Sequence, residues 1–384
     1  MPEGTGVVDL SSDLVRKQWL REGLIQAASQ SFWAPYTGMN FNSIVCQKND
    51  ENASTGHTVV FDFDGNLASQ AIKGKDTAFG KGEQKKKFSD KLTVERYRLV
   101  ADNGDSFDGV NIGDLSINAH TDSRTKLGDL FIRWKDQGLF DTAQGFKGSV
   151  SATHCIKLDV SSTKFAYSDL VEIEKKLRTG TGYTTGLPGA SSSAANRAPL
   201  RPFRLADGRS VWLLIIDPFT AANLKSNTTA NSGIMALAQH ADIRGNDNRV
   251  FRGLLGSVGA LVIVEAESFF GVSTSTGLNG TKVEVAGLRQ YDASNSAWSG
   301  QSSFVTAQYS RNLILGAGAL QIGFGKQPNY KFQESQDFAI KSESALEVWC
   351  EMQKTNLTAE NSDYDRAKQA AQDFAVIALD LKLV

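Results

Sequence analysis

The sequence predicts an α+β protein with a projecting arm, on three observations. From Asn111 to Gln137 apolar residues recur at three- and four-residue steps, a helix of about 27 residues and roughly 40 Å. The runs Arg209 to Ile216 and Gly259 to Glu265 are apolar and rich in β-branched residues, the pattern of buried core strands. Between two alternating runs, Thr58 to Phe63 and Lys91 to Val100, lies a stretch with Gly65, Gly74, Gly80, Gly82 and no helical period. A long irregular insert between two strands that can pair reads as an antiparallel arm standing off the body.

Composition bounds the rest. With 384 residues, 41% hydrophobic and 22% charged, the chain can bury one large core or two medium ones. A net charge of -1 excludes a dedicated nucleic-acid binder, because phosphate neutralisation needs an uncompensated surplus of Lys and Arg. Cys46, Cys155 and Cys350 are odd in number and lack CxxC spacing, so buried free thiols are expected. The N-terminus has no secretory pattern, and the longest apolar runs fall short of the ~20 residues a spanning helix needs; a soluble protein made inside a cell is expected, with no membrane partner.

In chain order, Ser12 caps an amphipathic helix to about Gln30, followed by an aromatic knot of Phe32, Trp33, Pro35 and Tyr36 that should dock on the domain or on a neighbour. The arm carries Lys81, Lys85, Lys86 and Lys87 with Glu83 near its tip: either a solvated charged hairpin or a surface that meets an acidic partner. On the long helix, Leu115, Leu127, Leu130, Phe131 and Trp134 form the packing stripe, and Gly138 is the expected stop. A strand is expected from His154 to Val160, then a helix capped by Ser168 and closed by Gly180, then a mobile loop to Asn196. Asp217-Pro218 marks the start of another helix, and a further one covers Ser232 to Ala241. Residues 271 to 310 hold short β pieces, Arg311 to Phe324 and Phe338 to Met352 are buried segments, and Asp365 to Gln372 is a short helix before a last strand, Phe374 to Val384.

No catalytic constellation emerges. Val59 to Leu67 resembles the first motif of haloacid-dehalogenase-like phosphatases, with Asp62 as nucleophile and Asp64 as general acid on a bridging magnesium ion. However, Asn66 stands where threonine is usual, and no helix follows. Gly180 to Gly186 has the wrong spacing for a phosphate loop. His57, His120, His154 and His240 are scattered, so no metal or cofactor set is expected.

Several strings, in order, resemble the major capsid proteins of tailed bacteriophages, in the branch of podovirus coat proteins. Gly80-Lys81-Gly82-Glu83 is similar to the G-x-G-E of that family's extended loop, and Leu92 to Val100 to its basic return strand. Ile216 to Leu224 resembles its axial strand-to-helix step; Asn248 to Gly256 is similar to its N-P-x-F-x-G-x-L-G string, with Arg249 at the proline. Leu315 to Ala319 approximates its L-G-A-Q-A, with Gly318 at the glutamine, and Asp373-Phe374 fits the opening of its last strand.

The resemblance implies the Hong Kong 97-like capsid fold: an N-terminal arm (1–45), an extended β-hairpin loop (46–105), a peripheral-domain spine helix (106–147), an axial domain (148–331) and a return to the peripheral domain with the C-terminal strand (332–384). It implies no enzyme and no cofactor. It further implies a self-partnering coat subunit in hexamers and pentamers of an icosahedral head, assembled in the host cytoplasm and residing in the virion. Its partners would be a scaffolding protein, a portal, a decoration protein and packaged double-stranded DNA bound without sequence specificity. In this reading Lys81, Glu83, Lys85, Lys86 and Lys87 make inter-subunit contacts. An encapsulin-like shell protein shares the implied fold.

Overall fold

The computed structural model describes residues 31–50, 56–64, 67, 69, 71–83, 85, 87–105, 112–147, 154–161, 163–190, 193–195, 199–205, 208–227, 254–266, 269–270, 285–336, 341–356 and 373–383. The expected helices from Ser12 to Gln30, Ser232 to Ala241 and Asp365 to Gln372 lie outside these residues, as does most of the string from Asn248 to Gly256.

A 3-10 turn at Ala34–Tyr36 leads into β1 (Thr37–Gly38) and β2 (Val45–Asn49). β3 (Thr58–Asp64) and β4 (Lys87–Thr93) enclose the arm, and β5 (Glu95–Asp105) delivers the chain to α1 (Ile112–Gln144). There follow β6 (His154–Asp159), α2 (Tyr167–Thr179), β7 (Tyr183–Thr185), β8 (Ser193–Ala195), β9 (Phe203–Arg204), β10 (Ser210–Ile216) and α3 (Pro218–Lys225). The remaining described elements are strands: β11 (Leu254–Val258), β12 (Leu261–Glu265), β13 (Phe269–Phe270), β14 (Leu288–Asp292), β15 (Ala297–Trp298), β16 (Tyr309–Leu315), β17 (Leu320–Phe324), β18 (Asn329–Gln336), β19 (Lys341–Lys354) and β20 (Val376–Lys382).

Two sheets and a hairpin organise these elements. The larger sheet runs β11-β12-β10-β16-β20-β6-β7-β8, with β14 also against β16. Its centre is buried on both faces: every residue from Val211 to Ile216 and from Val376 to Leu381 is buried, hence the near-continuous apolar runs. The smaller sheet runs β1-β2-β17-β19-β18, with β5 on β19. Among the described residues, β3 and β4 pair only with each other.

The long helix joins the two sheets. Leu127, Phe131 and Ile132 pack on Leu346, Val348 and Cys350 of the smaller sheet, with Leu130 partly buried beside them. Farther on, Leu139, Phe140 and Ala143 enter the core of the larger sheet, and Trp134 packs against both cores. The side chain of Leu115 lies outside the described residues.

Gly138 does not stop this helix, which continues to Gln144 and ends at Gly145. Its lack of a side chain serves packing instead: a Cβ there would lie 2.8 Å from Cε of Met352. The run Lys91 to Val100 is not one return strand either. Val94 is fully buried, its N–H donates to His57 O and its carbonyl accepts from Gly56 N, which ends the β3–β4 ladder; β5 then pairs with β19.

The cap of α2 is Ala166 rather than Ser168, because Asp169 reaches back to accept from Ala166 N at 2.9 Å. Gly180 closes that helix with φ 73°, and Asp217 caps α3 by accepting from Thr220 N at 2.8 Å, both as the sequence indicates. The stretch expected as a mobile loop to Asn196 contains β7 and β8, with Tyr183 buried. The expected boundary at residue 331 falls inside β18, and β17 already belongs to the smaller sheet. β20 sits between β16 and β6 in the larger sheet, so of the segment expected to return beside the spine helix only β19 and the end of β18 do so.

Candidate assembly elements

The arm is built from its root outward. β3 and β4 are in register from Thr58 opposite Thr93 to Asp64 opposite Lys87. Alternation turns Val59, Phe61, Leu92 and Val94 inward with Cys46, Phe41 and Trp349 beside them, a small apolar cluster separate from the other two. Gly323 of β17 lets the hairpin approach closely, since a Cβ there would meet Cδ2 of Leu92. Three polar contacts fix its direction: Lys48 Nζ donates to Val60 O (2.6 Å), Gln353 Nε2 to Lys91 O (3.2 Å), and Asn356 N to the Asp90 carboxylate (2.9 Å). Burial pushes the Asp90 carboxyl up, against the N–H groups of Asn356 and Lys91 that favour its charged form.

Beyond the root the arm stands in solvent. Residues 71–82 are all exposed, as are Lys81 and Lys85; Glu83 is half-buried and accepts from Ser69 N at 2.7 Å. Lys86 lies outside the described residues; Lys87 opens β4, its side chain outside them. The structure thus brings Lys81, Glu83 and Lys85 to the distal part of one hairpin. Asp62 sits opposite Ser89 in this hairpin and is exposed. A phosphatase nucleophile needs a parallel strand running into a helix, so the roles considered for Asp62 and Asp64 are overturned.

The second element is the joint between helix and larger sheet. Gln137, Asp141 and Gln144 fall on one face of α1, at steps of four and three. Asp141 holds Arg289 through two contacts, Oδ1 to Nε at 2.5 Å and Oδ2 to Nη2 at 2.9 Å, and also accepts from Gln137 Nε2. Gln137 Oε1 accepts from Gly287 N. The β14–β16 register passes through Tyr291 opposite Tyr309 and Gln290 opposite Ser310. Where Arg289 and Arg311 would come next, the Gln144 carboxamide supplies the rung. It donates to the carbonyls of Arg289 (3.0 Å) and Arg311 (2.7 Å) and accepts from Arg289 N (2.8 Å).

Arg311 is fully buried and forks onto Asp380 of β20, Nε to Oδ1 at 2.7 Å and Nη2 to Oδ2 at 2.8 Å. It also donates to Gln144 O and Gly186 O. Burial opposes its charge, but the Asp380 carboxylate outweighs burial and raises its pKa. One guanidinium therefore ties β16 to β20, to the end of α1 and to the turn after β7.

The same helix holds the start of the described chain. Asp136 accepts from Ser31 Oγ and Phe32 N, each at 2.7 Å, and Trp33 packs on Phe140 with centroids 4.9 Å apart. The aromatic knot docks on its own chain. Burial pushes the Asp136 carboxyl up, opposed by Lys135 and these donors, and pushes Lys135 down. All three cysteines are buried and free, with Cys46 pushed to about 11 and Cys350 to about 12 by burial. No metal-holding cluster of His, Cys, Asp and Glu occurs among the described residues.

The junction residues were not singled out from sequence, though signals exist. Arg311 lies two residues before the apolar Leu313–Leu315 segment, and Asp380 lies within Val376–Lys382. Opposite charges in strands that are otherwise apolar need each other when both are buried.

This architecture matches capsid structures over nearly its whole length. The capsid of Ralstonia phage GP4 superposes with a TM-score of 0.62 at 18% identity, covering 92% of this chain and 91% of that one. The capsid of Helicobacter pylori bacteriophage KHP30 gives 0.62 at 14% identity and 92% of each chain, and that of Cyanophage Pam1 gives 0.55 at 12% and 93% of each. The fold is therefore the Hong Kong 97-like capsid fold. Residues 8–174 match the family described as phage capsid protein, and no curated protein matches the sequence.

Proposed function

We propose that copies of this chain close into hexamers and pentamers of an icosahedral head around double-stranded DNA, the larger sheet forming the axial domain and the smaller sheet with α1 the peripheral domain. The observation that carries this is a body joined through buried ion pairs, with one hairpin that, among the described residues, pairs only with itself. Rigidity lets heterologous contacts repeat at a constant angle, which ring closure requires. The hairpin gives each copy something to lay across the next, with Lys81 and Lys85 supplying charge-assisted contacts there and Leu127, Leu130, Phe131 and Trp134 holding its base at a fixed distance from the larger sheet. Near-neutral net charge suits a wall that must release its DNA, since a basic lining would bind phosphate tightly. A separate scaffolding protein, a portal and a decoration protein complete the proposed set of partners.

Negative-stain microscopy of the expressed chain, alone and with its neighbouring genes, tests the reading. Closed shells or capsomer rings are expected, with nucleic acid inside particles from infected cells. A monomer under every condition would sink it, and shells filled with a protein cargo would favour the encapsulin-like alternative.

A further inference from the structure

We propose that the arm docks on a second copy of this chain through Phe79, an apolar anchor at the apex of its tip, with the lysines around it steering rather than holding. The proposal rests on the assembly reading above and names the residue that makes the contact. Phe79 is 95% exposed, the most exposed of the large apolar side chains among the described residues. It is not there by looseness of the chain: Lys81 N donates to Ala78 O at 3.2 Å, closing a turn around Phe79 and Gly80. Gly80 has φ 81°, the sign a type II turn demands at its third position, so the ring is held outward on a defined turn. Leu67 and Ile72, also exposed, lie on the same distal segment.

The occupant follows from where the arm can reach and from charge. The root is clamped by Val59, Phe61, Leu92 and Val94, β3 and β4 pair only with each other among the described residues, and residues 71–82 are exposed, which leaves the tip open to a neighbour. Residues 71–87 carry six lysines against Asp76 and Glu83, whereas the whole chain has a net charge of -1, which leaves the remainder net acidic. A cationic tip on an otherwise acidic body attracts the body of another copy. Because rim charges act mainly on encounter and buried aromatic groups on residence, the two contributions separate by experiment.

Phe79 is 95% exposed in the subunit, so its variants keep the monomer's melting temperature and report on association alone. Sedimentation and microscopy over a concentration series are expected to place the assembly threshold of Phe79→Ala at least about tenfold above wild type, as loss of a buried aromatic side chain predicts. Phe79→Leu should recover most of the loss, whereas Lys81→Ala with Lys85→Ala should mainly flatten the salt dependence. In Phe79→Trp, emission should shift to the blue when copies associate, even where association stops short of shells. Wild-type assembly by Phe79→Asp, or emission that stays at the solvent-exposed wavelength on association, would overturn the anchor. A chain with the tip shortened to a two-residue turn separates the two ideas: if it fails while Phe79→Asp succeeds, the arm assembles without this anchor. If it assembles normally, the arm's role and the anchor fall together.

Discussion

The arm and the helix–sheet joint are held by opposite means. At the joint, charged groups are drawn inside and saturated: Arg311 with Asp380, Arg289 with Asp141, Gln144 bridging two strands. At the arm, a few apolar side chains hold the root and the charges stay in water. A saturated ionic joint admits one geometry, because any displacement leaves a charge buried without a partner. An apolar root is non-directional, and its angle is set by only a few polar contacts. The body is thus the part that cannot vary from copy to copy, and the arm is the part that can be adjusted.

The largest expected effect is at the joint. Arg311→Ala strands Asp380 and should cost roughly 3–5 kcal/mol in urea unfolding, while Arg311→Met combined with Asp380→Leu should recover part of it. If the single variant cost under about 1 kcal/mol, the joint would not be what fixes the body. Asp141→Ala, which takes the carboxylate partner from the buried Arg289 guanidinium, should cost about 1.5–3 kcal/mol. At the arm root, Gly323→Ala forces a methyl against Leu92; overpacking of this kind costs about 1–3 kcal/mol, and hydrogen exchange should rise in β3 and β4 ahead of β5.

Smaller still is the pH effect of Asp136. Its folded pKa is raised, so its contribution is fully present below the unfolded value of about 3.9 and is lost as pH rises through the folded value. The stability of wild type relative to Asp136→Asn should therefore decline from pH 4 towards neutrality, as paired denaturant titrations would reveal; a rise would reverse the assignment. Asp62→Asn, on the exposed face of the arm, should change stability by less than about 0.5 kcal/mol.

What could be read from the sequence divides along the same line. Periodicity revealed α1, the arm and the core strands, because burial of a face writes a repeat into the chain. The Asp217-Pro218 start and the Gly180 stop were legible because capping is local chemistry. Gly138 misled because a glycine that ends a helix and one that admits Met352 are the same letter, and only the partner from residue 352 distinguishes them. Val94, where one strand run divides between two sheets, carries no local mark, since its burial depends on Phe61, Leu92 and Trp349. The ionic joint was hidden for the same reason: Asp141, Arg289, Arg311 and Asp380 are far apart in sequence, and each alone is an ordinary charge.

The single residue between β4 and β5 has a mechanical consequence. Tension on the arm tip runs along the backbone into β5, which is laddered antiparallel to β19 from Glu95 to Asp105. Loaded in that direction the hydrogen bonds of the ladder act side by side and have to break together, whereas a pull across the strand would open them one after another. A neighbour dragging on the arm would meet the ladder in shear, the orientation in which a pair of strands resists most.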